Sequence, residues 1–232
     1  MAQVVEQFRS KRYKEAATKA VEGPQPVDQA VAVVKSFKGT KFDQSVELIF
    51  SLGIDAKHAD QMIRGSLSLP HGIGKAKRVI AFCPEHLTTA ALNAGAVQAG
   101  GQDLVQKIEK ENFTDFDVAI ATPDMMRFVG RLGKVLGPKG LMPSPKAGTV
   151  TPDVANAVRE YAAGKIEFRN DAGGNVHCVV GKVSFDNGKL VDNINAMVAQ
   201  IRKMKPPTSK GSYVKRVVLK SSMSPAVHLQ IA

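Results

Sequence analysis

Between Ser45 and Ile54 apolar and polar residues alternate, and Val46, Leu48 and Phe50 fall on one side, the period of a half-buried strand. Ahead of it, Ala30, Val31, Val33, Val34 and Phe37 recur at helical spacing. Asp28 stands near the start of that helix and Gly39 ends it. The first twenty residues read as a basic helix in which Val4, Val5 and Phe8 precede the cluster Arg9, Lys11, Arg12 and Lys14; Pro24 and Pro26 break it. From Arg64 to Lys77 the chain turns polar, bears glycine and carries Pro70, which places a crossing into a second domain near Leu69.

From Arg78 short apolar runs alternate with helical stretches. Val79–Cys83 predicts a buried strand, and Pro84 opens a helix at its first turn. Asp103–Lys110 predicts another helix and Asp117–Ala121 another buried strand. Thr122-Pro123-Asp124 caps a helix carrying Met125, Met126, Phe128, Val129 and Leu132; Thr151-Pro152-Asp153 caps one that runs to about Ala163. Continuous apolar strands between helices indicate a small, largely parallel sheet covered on both faces. After that the texture changes back. Lys165–Arg169 predicts a strand, Asp171–Asn175 a glycine turn, and Val176–Phe185 its antiparallel return. Leu190–Met204 is an amphipathic helix ended by Pro206-Pro207, and the strand pair Tyr213–Ser221 and Ala226–Ile231 closes the chain.

The expected architecture is a two-domain protein of mixed class, α/β and α+β. Residues 1–69 and 160–232 form a discontinuous, ferredoxin-like split α+β domain, into which residues 70–159 insert a three-layer, Rossmann-like α/β domain. Two crossings between the domains make a natural hinge.

Charge adds a partner. The 232 residues carry a formal net charge of +11 and a pI of about 9.7, which points to a polyanion. Residues 70–159 hold 11 Lys and Arg against 8 Asp and Glu, a net +3, which leaves +8 on the split domain. Cys83 and Cys178 match no zinc or redox spacing, so reduced, buried thiols are expected. No long apolar leader or run of 18 apolar residues occurs, so a cytoplasmic protein without a membrane is expected.

Catalytic equipment is scarce. His71-Gly72-Ile73-Gly74-Lys75-Ala76 imitates a phosphate loop, but Leu69 and Ala76 occupy the places of its required glycine and hydroxyl. The histidines His58, His71, His86, His177 and His228 do not pair along the sequence, so no metal site or cofactor is expected. A nucleotide-binding enzyme built on the insert would need a cradle after a strand, for which Thr122-Pro123-Asp124 is the candidate, and it serves better as a cap.

The most distinctive run is Leu136–Thr151, LGPKGLMPSPKAGTVT, a loop shaped by glycine and proline and studded with lysine. Its core, VLGPKGLMPSPK from Val135 to Lys146, resembles the signature of the ribosomal protein L-one family of the large subunit's mobile side stalk. KFDQSVELIFSLGID (Lys41–Asp55), DQMIRGSLSLPHGIGK (Asp60–Lys75) and GKIEFRNDAGGNVH (Gly164–His177) match the family in the same order. The resemblance is to the bacterial type. It implies a structural protein without enzyme activity that binds large-subunit (23S) ribosomal RNA through the split domain, is bound to the ribosome and is monomeric when free. It also implies action near exit-site tRNA, helping deacylated tRNA leave, and repression of its own operon mRNA.

Residue by residue, Lys41, Phe42 and Ser45 put a cation, an aromatic and a hydroxyl at a strand entrance; Phe42 reads either as core or as an exposed contact. Ser222, Met223 and Ser224 lie in the last strand connection, where they suit ribose and base edges or merely make a polar turn. The resemblance matches both segments to the family's RNA surface. The family usually shows Thr-Met-Gly where this chain has Ser222-Met223-Ser224, so Ser224 adds a β-carbon where the backbone would approach RNA closely. Arg169, Asn170 and His177, around the glycine turn, read either as a salt-bridged hairpin or as contacts to phosphate and sugar. Lys203, Lys205, Lys210, Lys215 and Arg216 add a basic stretch near the final hairpin.

Overall fold

The computed structural model describes residues 9–20, 23–58, 60–111 and 113–230, so the expected contribution of Val4, Val5 and Phe8 lies outside the described residues. In chain order, helices α1 (Lys11–Lys19) and α2 (Val27–Ser36) precede strands β1 (Ser45–Leu52), β2 (Arg64–Leu67) and β3 (Val79–Phe82). Then come α3 (Glu85–Asn93), β4 (Gln98–Gly100), α4 (Gln102–Glu111) and β5 (Val118–Ala121). A helical run follows, α5 (Met126–Val129), a tighter turn at Gly130–Leu132, and α6 (Gly133–Leu136). Last come α7 (Val154–Ala162), β6 (Ile166–Arg169), β7 (Asn175–Lys182), α8 (Asn187–Lys203), β8 (Val214–Ser221) and β9 (Val227–His228).

The chain divides into two compact units. Unit 1 comprises residues 1–63, 69–74 and 168–232, and unit 2 comprises residues 64–68 and 75–167.

Unit 1 is built on a four-stranded sheet in the order β7-β1-β8-β9, whose three pairings are antiparallel. Val46, Leu48, Phe50 and Leu52 are buried, and their alternating neighbours Ser45, Glu47, Ile49 and Ser51 lie half-buried on the opposite face. The buried face packs against Ala30, Val31 and Val34 of α2 and Leu190, Ile194, Met197 and Ile201 of α8. Each of the Val, Leu, Ile and Met side chains among them contributes roughly 1.5–3 kcal/mol by leaving water. Asn193 of α8, fully buried, accepts from His71 N (3.1 Å) and donates to Gly72 O (3.0 Å) and Val180 O (2.8 Å), which ties residues 69–74 into this unit. Lys35 of α2 donates to Phe185 O and to Asn187 Oδ1 (2.8 Å), joining the two helices.

Unit 2 contains a parallel sheet in the order β4-β3-β5. One face buries Ile80, Phe82, Ala119 and Ala121 against Leu104, Val105 and Ile108 of α4 and against Met125, Val129, Leu132 and Leu136. The other buries Val79, Ala81 and Ile120 against Ala91 of α3 and Val154, Ala157, Val158 and Tyr161 of α7. Helices therefore cover both faces, as apolar runs such as Val79–Phe82 require.

Three expectations need correction. Lys165–Arg169 does not form a hairpin with the strand after it: β6 pairs with β2, and toward β7 only the Asn170–Val176 bridge forms. β2 hides in the polar stretch taken as a crossing, and Arg64 donates to Glu167 Oε1 on β6 (2.9 and 2.6 Å). Thr122-Pro123-Asp124 does not cap a helix. Met125 takes the N-cap place with no side-chain cap, because Met125 N and Met126 N donate to Thr122 O (3.1 Å) and Pro123 O (3.2 Å) in a turn that ends β5. The Thr122 hydroxyl is buried there without a hydrogen-bond partner. β4 was not foreseen at all. By contrast, Asp153 does cap α7, accepting from Asn156 N at 3.2 Å.

Candidate nucleic-acid interface

Two segments distant in sequence meet at one corner of the unit 1 sheet. Strand β1 begins at Ser45, and Val46 pairs with Ser221 at the end of β8, so the entrance Lys41–Gln44 lies beside the connection Ser222–Pro225. Ser222 N donates to Ser45 O (3.1 Å) and Ser45 N donates to Ser222 Oγ (3.2 Å). Beneath them Gln44 is buried, and its Oε1 accepts from Ser221 Oγ (3.1 Å) and Met223 N (2.9 Å). The amide of Met223 is thereby fixed from inside.

Fixing the backbone leaves the side chains above it exposed. Phe42 is 54% and Met223 51% exposed, two of five large apolar side chains so presented among the described residues. The core reading of Phe42 is therefore set aside. Lys41 is exposed beside it. Lys182, at the end of β7 opposite Ser45, donates to Ser45 Oγ at 2.9 Å and brings a second cation to the corner. Asp43 turns away: its carboxylate accepts from Ser184 N (3.2 Å) and Ser184 Oγ (2.7 Å). The surface thus joins a planar apolar group, a flexible thioether and cations, which suits base faces and phosphates.

Ser224 has a local role that a glycine would lack. Its Oγ accepts from Ser221 N at 2.9 Å and donates to Pro225 O at 3.0 Å, closing the turn. The side chain is folded onto its own loop.

Arg169, Asn170 and His177 do not join this corner. His177 pairs with Ile49, four residues along β1 from Ser45, or about 14 Å at the rise of a strand. Arg169 and His177 are exposed, but Asn170 is buried. Asn170 Oδ1 accepts from Ile63 N (2.8 Å) and its Nδ2 donates to Asp171 O (3.0 Å), so its amide holds the fold together. The following turn is held by Asp171, which accepts from Gly173 N (2.9 Å) and Asn175 N (2.7 Å). The Asn175 backbone bond is the largest of the causes that hold the Asp171 carboxyl below its usual range. Gly174 adopts φ +77°, and a Cβ there would meet Leu52 O at 3.2 Å, so both the turn and its contact need glycine.

Reactive chemistry is not assembled. Burial pushes the Cys178 thiol up to about 12, far from a thiolate at neutral pH, and raises that of Cys83 as well. Among the described residues no group of His, Cys, Asp and Glu could hold a metal ion, and no helix is long and apolar enough to cross a membrane.

Sequence reasoning missed Gln44 and Lys182. Gln44 had a signal: it continues the series 46, 48, 50 of inward positions, and a glutamine there must find hydrogen-bond partners inside.

Comparison with known proteins finds relatives among ribosomal proteins of the large subunit. Residues 34–225 match the ribosomal protein L1p/L10e family. The large ribosomal subunit protein uL1 of Solibacter usitatus (strain Ellin6076) is 49% identical over 223 residues, covering 96% of this chain and 94% of its own. That of Thermosipho africanus (strain TCF52B) is 49% identical over 225 residues, 96% of this chain and 97% of its own. That of Persephonella marina (strain DSM 14350 / EX-H1) is 50% identical over 208 residues, 88% and 86%.

Proposed function

Because the chain belongs to the ribosomal protein L1p/L10e family, we propose that it is a structural, non-catalytic protein of the large ribosomal subunit that binds large-subunit ribosomal RNA through the Phe42–Met223 corner. The observation that supports this most is the locked presentation of the two exposed side chains. Phe42 and Met223 project from loops whose backbones are hydrogen-bonded to each other and to buried Gln44. A preformed apolar pair with Lys41 and Lys182 at its rim stacks on unpaired bases while the cations take phosphates. Ser45, Ser222 and Ser224 shape the surface. The Ser45 hydroxyl, which only accepts from Lys182, keeps its donor for a phosphate or ribose oxygen. Ser222 and Ser224, whose donors are already used within the protein, each keep acceptor capacity for a ribose hydroxyl. Arg169 and His177, farther along the sheet, supply a secondary contact.

The finer reading follows the family resemblance. The bound RNA is the stem region of the mobile side stalk, the protein works in the cytoplasm on the ribosome, and it assists departure of exit-site tRNA. The free protein recognises a similar fold in its own operon mRNA and represses its translation.

The test is a salt series of filter-binding measurements with the stalk stem RNA and an unrelated RNA duplex. The stem should bind more tightly at every salt concentration, with both affinities falling as salt rises. Equal affinity for the two RNAs would refute specific recognition. Co-sedimentation with large subunits separates a ribosomal constituent from a free RNA regulator.

A further inference from the structure

The two edges of the unit 2 sheet are treated differently. In the order β4-β3-β5 the outer side of β5 is covered by the exit of the glycine–proline loop. Ala121 N donates to Thr149 O (2.9 Å) and Thr151 N to Ala121 O (3.1 Å), which bridges Ala121 to Val150. β4 has no such cover among the described residues. Val97 N donates inward to Val79 O (2.8 Å), so the next residue, Gln98, turns its backbone N–H and C=O to the open side.

A groove of about 840 Å³ lies along β4, walled by residues of α3 and α4. Among the described residues, Leu92 and Val97 are the exposed large apolar side chains of unit 2, and both line it. Pro84, Leu104 and Met125 extend its apolar wall, and Gly100 and Gly101 line it without side chains. Sheet edges are ordinarily blunted with charge or proline, and this one carries an apolar strip instead. Its charge also differs from that of the rest of the chain. Residues 84–111 hold two lysines against four acids, a net −2, which leaves +13 elsewhere in a chain whose total is +11. Glu85 and Asp103 line the groove without an ion pair among the described residues, while Lys107 is engaged over the Phe113 ring at 5.1 Å.

We infer that this edge receives an extended segment of a basic partner protein. The segment adds a strand beside β4, lays apolar side chains on Leu92 and Val97, and sets Lys or Arg toward Glu85 and Asp103. An added strand sends alternate side chains to the two faces of a sheet, and here α3 packs on one face and α4 on the other. The negative charge repels the phosphates of RNA. A second copy joined through the same edge would set one negative segment against another. A small ligand is held by polar groups that converge inside its pocket, and every polar side chain lining this groove is exposed or half-buried. An apolar centre with a charged rim is instead the anatomy of a protein contact.

The experiment titrates the full, isotope-labelled chain with capped hexapeptides of alternating Lys and Val, Glu and Val, or Lys and Ser, followed by amide chemical shifts and hydrogen exchange. The Lys–Val peptide should shift the amides of residues 97–101 saturably and slow exchange at Gln98 N–H. The Glu–Val and Lys–Ser peptides should each bind at least about ten-fold more weakly, since one reverses the charge and the other removes the apolar contacts. Leu92→Gln/Val97→Thr should lose about ten-fold toward the Lys–Val peptide. Glu85→Gln/Asp103→Asn should lose about five-fold, together with most of the salt dependence. These substitutions fall on exposed side chains, and if a variant fails to fold, the contrast among the peptides on the wild type still decides. Unmoved amides at β4, or equal affinity for either comparison peptide, would overturn the inference. So would a dimer in sedimentation equilibrium that Leu92→Gln/Val97→Thr abolishes, which would make a second copy the occupant. Saturable shifts of the same amides by an RNA hairpin would overturn it as well.

Discussion

Gln44→Met separates the positioning of the RNA corner from the contacts it makes. The substitution keeps side-chain length and removes the acceptor that serves Met223 N at 2.9 Å and Ser221 Oγ at 3.1 Å. Gln44 and Ser221 are both buried, so water does not easily replace the lost bonds. Leaving a buried donor unpaired costs about 1–3 kcal/mol, and two such losses, partly offset by the more apolar methionine, give about 2–4 kcal/mol. Against a typical total of about 5–15 kcal/mol the folded state still dominates, so a fall in affinity cannot be blamed on unfolding. With the Met223 backbone no longer fixed, RNA affinity should drop about 10- to 100-fold, or about 1.4–2.8 kcal/mol. Ser221→Ala is the comparison: it removes one donor, leaves Met223 N bonded to Gln44, and should lower stability by about 1 kcal/mol with little change in affinity. The measurements are urea unfolding followed by circular dichroism, and filter binding to the stem RNA. If Gln44→Met lowers the unfolding midpoint but binds RNA like the wild type, Gln44 does not position the loop.

Phe42→Ala and Met223→Ala should each weaken stem binding by about 1–3 kcal/mol, the scale of a lost stacking or base-edge contact, with stability almost unchanged because both side chains are half exposed; unchanged affinity in both would move the surface elsewhere. Asn170→Ala should do the reverse, costing about 1–3 kcal/mol of stability through the orphaned Ile63 N–H while leaving stem affinity within about two-fold, as urea unfolding and filter binding would report. The Asp171 carboxyl ionises below its ordinary value of about 3.9, so the stability it contributes is present above about pH 4 and is lost as the pH falls through its folded value. Asp171→Asn should therefore flatten the acid limb of a stability–pH curve in that window, and an unaltered limb would show that the turn does not depend on the charge.

Much of this was legible in the sequence because it rests on periodicity. The alternation at Val46, Leu48 and Phe50 defines β1 and its buried face, and the apolar spacing of α2 and α8 supplies the helices that cover it. What was not legible lies in short segments without a period. β4 is Gln98-Ala99-Gly100, three residues with no β-branched member, and β2 contains Gly65 and Ser66. Both are strands because of their neighbours. The hairpin expected at β6 failed for the same reason, since a glycine turn between two apolar strands does not determine which partner the first one takes. Asn170 was misjudged against an available signal. Ile166 and Phe168 are buried while Glu167 and Arg169 are exposed, and the same alternation carries Asn170 inward.

Lys182 shows why part of the corner could not be read from the pattern alone. On β7 the even positions Val176, Cys178 and Val180 are buried, so strict alternation would send Lys182 into the core. The pairing with β1 shifts by one residue between Val46, which faces Gly181, and Glu47, which faces Val179, so Val180 is an extra residue on β7. A bulge of this kind reverses the parity of everything beyond it. Two successive residues, Val180 and Gly181, then point inward, and Lys182 emerges on the outward face opposite Ser45. The second inward position has no room for a side chain, because a Cβ on Gly181 would lie 2.8 Å from Leu190 Cδ2 and 3.0 Å from Phe185 Cδ2. Glycine at 181 thus permits the bulge, and the bulge places a cation where Lys41, Phe42 and Met223 converge. A single inserted residue in an edge strand changes what would be a buried, unpaired charge into part of the surface proposed to face RNA.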